Sequence, residues 1–245
     1  MNSSQKEELI QRYYGNIQTS TKTLIAAVDA ALRTRVNPVV LDAGCGSEGE
    51  LVKRFSELGD IYGVDLDCQT AGKLYRADLA NLPFDNDRFD LIYSRSVFEH
   101  LEKPQAVMAE LGRVLKPGGQ LILITPNKYD YSSVVARFTP QWFHKWFVGG
   151  VLNVEYDMFP VRYRCNTPWW FRRLNGWRAL EIRGLRHYPV NLLFSRILFR
   201  LAVAYDRLID RLGLSFLQPT LFVVLEKPAG TASPSDQSQF AAVRD

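Results

Sequence analysis

The chain contains 245 residues, of which 47% are hydrophobic and 23% are charged. This composition is typical of one globular domain and excludes the collagen-like, disordered and disulfide-framework classes of protein. The cysteines Cys45, Cys68 and Cys165 form no CxxC pair and no even framework, so we expect a reducing compartment and no structural metal. We find no apolar signal region, and arginines interrupt the most apolar later stretch, which predicts a cytoplasmic protein or one peripheral to a membrane.

The net charge of +4 is unevenly distributed along the chain. Residues 160–211 contain eleven Arg, no Lys and three acidic residues, so this region is strongly basic. Such a region favours anionic partners, but arginine stems that cover apolar surface would give the same pattern, and both interpretations stay open. No helix-turn-helix, zinc-finger or RNP motif accompanies the charge, so we expect no nucleic-acid partner.

The first half of the chain alternates helical and strand-like patterns. Residues 5–35 have apolar positions at helical spacing, which predicts one or two helices in an N-terminal cap over residues 1–36. Over residues 37–126, helical patterns at 49–58 and 104–115 separate four strand-like runs, namely VVLDAGCG from Val39, IYGVDLD (61–67), FDLIYSR (89–95) and QLILITP (120–126). This alternation predicts an α/β fold with a doubly wound, mostly parallel sheet and helices on both faces. KPGG (116–119) predicts the turn that ends a helix and starts a strand.

The second half of the chain has a different rhythm. Residues 127–175 are aromatic-rich and irregular, which predicts an insert after the fifth strand that packs over the sheet. The remaining residues of the domain, 176–228, contain two further strand-like runs at 178–184 and 220–228, with an amphipathic helix at about 191–212 between them. Residues 229–245 are polar, and we expect a disordered tail.

A glycine loop, GCGSEG (44–49), follows the first predicted strand and should open a helix, where backbone amides can approach a ligand closely. Its GxGxxG form also suits a dinucleotide, with Asp65 in position to bind ribose hydroxyls. However, Asp42 lies two residues before the first glycine, where it would oppose a pyrophosphate but suit a cation such as an ammonium or sulfonium. Asp78, in RADLANLPF, is positioned to receive an exocyclic amine.

Five motifs occur in order over residues 38–128: VLDAGCG, GVDLD, ADLANLPFDNDRFD, SRSVFEHL and LKPGGQLILITPN. Together they resemble the class I S-adenosylmethionine-dependent methyltransferases, specifically the small-molecule group that includes ubiquinone-biosynthesis-like enzymes. The resemblance implies a Rossmann-like sheet of seven strands and S-adenosyl-L-methionine as the cofactor. One departure is an extra residue in the loop before Gly49, which affects the loop's later contacts but not Gly44 and Gly46.

The same resemblance implies a set of cofactor-binding residues at the carboxyl ends of the strands, where open α/β sheets bind ligands. These are Asp42, Gly44, Cys45 and Gly46 around the methionine moiety, Asp65 on the ribose hydroxyls, Leu66 beside the adenine, Asp78 and Leu79 at its edge, and Ser94 and Arg95 below it.

Candidate catalytic residues come from the three histidines, since an acceptor that must lose a proton needs a base. His100, in FEHL, matches a family position near the active-site mouth, although it could equally orient a helix. His144 lies in the predicted insert, where it could act as a base, contact the acceptor or only pack. Tyr129 and Tyr131 follow the fifth strand on the expected acceptor side. The histidines lack metal-ligand spacing and no GxSxG elbow occurs, so we expect neither a metal site nor a covalent nucleophile.

The sequence therefore predicts an enzyme that transfers a methyl group from S-adenosylmethionine to O, C or N of a small molecule, with an anionic, sugar or lipid-linked acceptor left open. The alternatives are an NAD(P)-binding oxidoreductase and a non-catalytic cofactor-binding scaffold. The broad apolar stripe of helix 191–212 fits docking on its own sheet, a peripheral membrane contact or a homodimer. The sequence identifies neither the acceptor atom nor the oligomeric state.

Overall fold

The computed structural model describes residues 3–15, 17–130, 160–189 and 192–229. Seven strands pair into one sheet, namely β1 (Val39–Ala43), β2 (Asp60–Asp65), β3 (Leu74–Arg76), β4 (Phe89–Arg95), β5 (Leu115–Pro126), β6 (Arg178–Leu185) and β7 (Thr220–Glu226). Their order is β3-β2-β1-β4-β5-β7-β6. The first five strands pair in parallel, whereas β7 runs antiparallel to both β5 and β6. The predicted fold class is therefore confirmed.

Within the described residues, six α-helices accompany the sheet, namely α1 (Ser3–Tyr14), α2 (Ser20–Arg33), α3 (Glu50–Phe55), α4 (Pro104–Val114), α5 (Pro168–Arg172) and α6 (Arg196–Arg211). The buried side chains of α2 and α3 pack in one hydrophobic cluster with side chains of the central strands. Those of α4 and α5 pack in a second cluster with the alternate residues of the same strands. Helices therefore cover both faces, as parallel strands require. No helix in the described ranges has the length and hydropathy needed to span a membrane.

Two predicted features fall largely outside the described residues. Most of the predicted insert (131–159) lies there, and with it His144 and Tyr131. The predicted tail lies there too, from residue 230 onward. The predicted domain boundaries therefore stay a prediction.

The KPGG segment differs from its prediction. Instead of preceding the fifth strand, it lies inside β5: Leu115 pairs with Phe89, and Gln120 already pairs with Leu91, so the intervening residues bulge out of the ladder. The amide of Gly118 donates to the carbonyl of Lys227 (2.7 Å), and the Lys227 amide donates back to Gly119 (3.0 Å). The bulge is stabilised by the end of β7, a long-range contact that local turn chemistry does not reveal.

Helix α6 begins at Arg196, later than the predicted start near 191, because the Ser195 side chain caps it by accepting from the Leu198 amide. The buried side chains Phe199 and Val203 pack with Leu9 and Tyr14 of α1, in a cluster separate from the two that flank the sheet. The helix therefore docks on the N-terminal cap, whereas one of our predictions placed it on the sheet.

The α1–α6 contact contains a buried polar pair. The Tyr14 hydroxyl donates to the carboxylate of Asp206, and both residues are less than one-tenth exposed. Burial raises the pKa of Asp206, while the hydrogen bond from Tyr14 and the Arg186 charge partly lower it. A buried carboxyl that loses its donor carries a desolvation cost, so this pair holds the two helices in one orientation.

We predict that Tyr14→Phe destabilises the protein by about 1–3 kcal/mol, because the ring remains but Asp206 loses a buried donor. Urea unfolding of the two proteins measures the difference. Tyr13→Phe is the matched control, since Tyr13 packs on the same Phe199 ring (6.2 Å between centroids) and its hydroxyl does not bind Asp206. Equal stability of Tyr14→Phe and the parent would contradict the importance of this hydrogen bond.

Candidate functional site

The carboxyl ends of β1, β2 and β4 meet at one edge of the sheet, and the glycine loop follows β1 at that edge. The loop is tied to the neighbouring strand, because the amides of Gly44 and Cys45 both donate to the carbonyl of Val64 (2.8 and 3.1 Å). Ser47 and Glu48 lie in a turn, and α3 begins directly after Gly49. The extra residue noted in the sequence is therefore accommodated in the turn.

Gly44 sits where no larger residue fits. Its φ is +90°, and a Cβ atom there would lie 2.1 Å from Cγ2 of Val97, which follows β4. The backbone of the loop after β1 thus contacts a side chain of the loop after β4. At Gly46, by contrast, a Cβ would meet nothing within 4 Å, so the loop borders open space at this point. In that space a ligand can approach the loop backbone closely, because no side chain intervenes.

Asp65, the last residue of β2, faces the loop. One carboxylate oxygen accepts from the Gly46 amide (2.9 Å) and the other accepts from the Asp67 amide (3.0 Å). These two bonds fix the carboxylate plane, yet each oxygen keeps a further lone pair for a hydroxyl donor. The side chain is half-buried, so its remaining acceptor positions are accessible. This geometry fits the two hydroxyls of a ribose.

Asp42 is buried in β1, with 2% of its surface exposed. Burial raises the pKa of its carboxyl to about 7, while the Tyr93 hydroxyl and the Arg95 charge lower it and Asp65 raises it further. Arg95 itself pairs with Glu50 at the start of α3 (3.1 Å). The raised pKa favours the protonated carboxyl, and a cation bound nearby would stabilise the charged form.

Two of the predicted cofactor residues are buried within the fold. The Ser94 hydroxyl donates to the Ala43 carbonyl (2.7 Å) and is fully buried, so it joins β4 to β1 instead of facing the open side. Cys45 is buried as expected for a small packed residue, and burial raises the pKa of its thiol far above the usual value. Both residues hold the loop in place.

The remaining predicted cofactor residues follow β2 and β3 at the same edge. Leu66 is half-exposed and Leu79 is buried, whereas the exposed Asp78 accepts from the Ala80 amide (2.9 Å). The Ala77 amide donates to the Asp65 carbonyl (3.2 Å), which links this segment to the end of β2. The structure therefore brings the predicted cofactor residues to the edge formed by β3, β2, β1 and β4.

A buried polar network next to this edge was missed in the sequence. The Glu99 carboxylate accepts from the Thr125 hydroxyl at the end of β5 (3.0 Å), and the Asn166 amide donates to that same hydroxyl (2.5 Å). The Glu99 carbonyl also accepts from the amides of Arg162 and Tyr163. Only the position of Glu99 beside His100 after a buried strand could have indicated it, because Asn166 is distant in sequence.

His100 lies at the border of this network. Its Nδ1 is 3.4 Å from the Pro160 carbonyl, and its Nε2 is 3.9 Å from the Glu99 carboxylate. Donation from Nδ1 to Pro160 would leave Nε2 as the basic nitrogen. His187 lies elsewhere: its Nδ1 is 2.9 Å from the carbonyl of Tyr188, which packs with the α1–α6 cluster.

An aromatic group lies on the β5–β7 side of the same edge. The Tyr129 ring contacts Trp169 in a tilted arrangement with 5.3 Å between ring centroids, and Trp169 contacts Phe216 at 5.7 Å. The buried Asn127 side chain fixes this group, since its amide donates to the carbonyls of Phe216 and Gln218 (2.5 and 2.8 Å) and its oxygen accepts from the Tyr129 amide. Tyr129 and Trp169 are each more than one-third exposed, so the aromatic group presents an apolar surface.

Known proteins share both the sequence pattern and the fold. Residues 41–123 match the family described as "Methyltransferase domain". The ubiquinone biosynthesis O-methyltransferase of Coxiella burnetii is 29% identical over 173 residues, which are 62% of this chain and 68% of the relative. The sterol 4-C-methyltransferase of Caenorhabditis elegans is 27% identical over 132 residues, which are 46% of this chain and 40% of the relative.

A solved structure, the S-adenosylmethionine dependent methyltransferase from Mesorhizobium loti, has a TM-score of 0.50 and 18% identity, covering 83% of this chain and 99% of that one. At this identity the similarity concerns the fold alone. Residues 41–123 thus carry a methyltransferase domain. The resemblance of the five motifs to the class I S-adenosylmethionine-dependent methyltransferases is confirmed, and these matches support S-adenosylmethionine as the cofactor. The chain spans less than half the length of some curated relatives that it matches.

Asp42 gives the site a pH-dependent effect on stability. Its pKa is about 7 in the folded chain and 3.8 as the ordinary value, so the folded state binds a proton that the unfolded state releases. The contribution of Asp42 to the free energy of unfolding therefore rises by about 2–3 kcal/mol as the pH falls from 8 to 5. Asp42→Asn removes this titration. We therefore expect the free energy of unfolding of Asp42→Asn, relative to that of the parent, to be about 2–3 kcal/mol larger at pH 8 than at pH 5.

Urea unfolding at both pH values tests this. The exposed Asp67→Asn is the control, because it removes a surface carboxyl and leaves the buried Asp42 in place. An Asp42→Asn difference that does not change with pH would contradict a raised pKa for this buried carboxyl.

Proposed function

We propose that this chain catalyses methyl transfer from S-adenosylmethionine to an O, C or N atom of an apolar small molecule. The observation that carries the proposal is the buried Asp42 carboxyl beside the glycine loop. An anionic pyrophosphate would be repelled there, which argues against the NAD(P)-dependent oxidoreductase. A cationic amino-acid group would instead be attracted.

We assign the cofactor contacts from the fit of this edge. Asp42 attracts the cationic methionine portion, which packs against the open backbone at Gly46. The free lone pairs of Asp65 accept from the ribose hydroxyls, with Leu66, Asp78 and Leu79 around the base. Arg95 contributes to the site indirectly, because its ion pair with Glu50 holds the start of α3 beside this edge. When bound, the cofactor supplies an activated methyl group on a sulfonium, which is itself a good leaving group.

The chain's own contribution is then mainly orientation of the acceptor and removal of its proton. Proximity alone can supply a large part of the acceleration of such a displacement. We assign His100 as the base, with Nε2 as the accepting nitrogen. Glu99 is a positioning residue, because its carboxylate accepts from Thr125 and its main chain leads directly into His100. His144, outside the described residues, stays a second candidate.

The proposed acceptor binds against the aromatic group of Tyr129, Trp169 and Phe216. Large exposed rings supply apolar contact area and a rigid shape, which suits an apolar ring or chain better than a sugar. The names of two relatives, a sterol and a ubiquinone-biosynthesis methyltransferase, support the same class of acceptor. A non-catalytic scaffold would not need the Glu99 network on the acceptor side.

We predict that Asp65→Asn weakens binding of S-adenosylhomocysteine about tenfold or more, because one hydroxyl loses a charged acceptor worth about 1.5–3 kcal/mol. Isothermal calorimetry measures the affinity, and thermal melting checks the fold. Asp67→Asn, two residues away and exposed, should bind as the parent does. Absence of binding to the parent, or tighter binding of NADH, would refute the cofactor assignment for this edge.

We predict that His100→Ala lowers turnover about a hundredfold without changing the affinity for S-adenosylhomocysteine, since a general base contributes at least that factor. Labelled S-adenosylmethionine with a panel of phenols, quinone precursors and sterols measures turnover. His187→Ala is the matched control and should be fully active. If His100→Ala turns over normally but melts at a lower temperature, His100 serves packing only.

A further inference from the structure

Helix α6 presents an apolar face outward. Ile197, Leu201, Leu208 and Leu212 are 73%, 60%, 52% and 59% exposed. Their spacing of four, seven and four residues places them in one row along the helix, because such intervals return to the same side. Leu198 borders the row and is 39% exposed. Within the described residues, this is a continuous apolar strip more than four turns long on one helix.

The opposite side of α6 is fixed in place. Phe199 and Val203 are buried against α1, and Asp206 holds the Tyr14 hydroxyl there. Rotation of the helix to bury the apolar row would expose these aromatic and aliphatic contacts and break the buried hydrogen bond. The row therefore faces outward as a consequence of the α1–α6 packing.

Four arginines flank the apolar row. Arg196, Arg200, Arg207 and Arg211 are all exposed and recur at intervals of four, seven and four residues, parallel to the row. The ion pairs found among the described residues include none for these four side chains, although Arg207 lies 5.6 Å from the Tyr13 ring centroid. Asp210, the exposed acid of the helix, already pairs with Arg186. The flank therefore carries uncompensated positive charge.

We propose that α6 is a membrane-docking face, which lies in the plane of an anionic bilayer with its apolar row in the acyl boundary and its arginines at the headgroups. An apolar strip bordered by cationic side chains is what interfacial helices present to lipid. Each arginine near an anionic surface adds attraction, so four in one line favour such a surface over a neutral one.

Charge also argues against a second copy of this chain as the occupant. A two-fold contact through α6 would bring two sets of four arginines to one interface, while Asp210 is already paired. Protein interfaces of this kind have few charges at their centre and need opposite charge at their rim. An anionic leaflet supplies that opposite charge over its whole area.

The position of this face relative to the site rests on the proposed function. From α6, the chain continues through the 3-10 helix Ser215–Leu217, which carries Phe216 of the aromatic group, into β7. The membrane face and the aromatic group are thus joined by a few residues. An apolar acceptor that resides in a bilayer would then reach the site from the α6 side.

Co-sedimentation of the full chain with vesicles tests the proposal. We compare neutral phosphatidylcholine vesicles with vesicles containing about 30% phosphatidylserine, at about 0.05 M and 0.5 M salt. We expect binding to the anionic vesicles that is at least tenfold weaker at high salt, and weaker binding still to the neutral ones. Arg200→Gln/Arg211→Gln should lower binding to the anionic vesicles at least tenfold, and Leu201→Gln/Leu208→Gln should lower it on both.

Two matched controls use exposed residues elsewhere. Lys22→Gln/Arg54→Gln removes the same charge, and Leu180→Gln removes an exposed apolar side chain on β6 that is 44% exposed. Both should sediment with vesicles as the parent does. Because all substituted side chains are exposed, melting curves should coincide, and calorimetry with S-adenosylhomocysteine should be unchanged in every variant.

Three results would overturn the proposal. The first is no binding to either vesicle at low salt. The second is a dimer in light scattering that Leu201→Gln/Leu208→Gln converts to a monomer, which assigns the face to a second copy. The third is a monomer without vesicle binding that Leu201→Gln/Leu208→Gln destabilises, which assigns the face to contacts within the chain. Retained cofactor binding in any of these cases separates this failure from failure of the proposed function.

Discussion

The site depends on the close approach of the loop after β1 to the loop after β4. Gly44 contacts Val97 where no Cβ could fit, and the buried Ser94 hydroxyl joins β4 to the last residue of β1. This approach sets the height of the glycine loop above the sheet. It therefore fixes both Asp42, two residues before the loop, and the segment that leads to Glu99 and His100. The proposed cofactor side and the proposed acceptor side are thus both positioned by the approach of these two loops.

The sequence predicted the parts of the fold in which local pattern and burial coincide. The middle residues of strands β1, β2, β4 and β5 are largely buried, and each strand contains a short apolar run that differs from helical periodicity. The glycine loop and the acidic residues at strand ends follow from the same logic, since parallel strands bring their carboxyl ends together. The family resemblance then named these residues as cofactor ligands.

Features that depend on long-range contacts were harder to predict. The KPGG bulge is held by Lys227 and the Glu99 network by Asn166, and neither partner is near in sequence. Helix α6 shows a different limit. Its broad stripe contained two faces, and the sequence did not show that Phe199 and Val203 face α1 while Ile197 and Leu201 face outward. Periodicity identifies an amphipathic helix but not the partner of each side.

Buried carboxyls link this architecture to ligand binding. Asp42 is energetically unfavourable when ionised in the folded chain, and burial raises its pKa for that reason. A cationic ligand relieves this cost by stabilising the ionised form, so binding and folding stability are coupled, and more strongly at higher pH. Asp206 differs from Asp42, because the Tyr14 hydroxyl donates a hydrogen bond to its buried carboxylate from within the chain. Asp206 is thus stabilised within the chain, whereas the ionised form of Asp42 would be stabilised further by the proposed cationic ligand.

The two sides of the site differ in polarity, and this difference constrains how two unlike ligands can enter. On the β2–β3 side the exposed groups include Asp78 and the half-buried Asp65, which suit a polar cofactor that arrives from water. On the β5–β7 side the exposed groups are the rings of Tyr129 and Trp169. Trp169 contacts Phe216, which lies a few residues after the end of α6 in the chain. An apolar acceptor has little concentration in water, so its transfer rate depends on the distance between its reservoir and the site. If α6 rests on a bilayer, the aromatic group lies beside that reservoir while the cofactor edge stays open to water, and each ligand meets the site from the phase in which it is soluble.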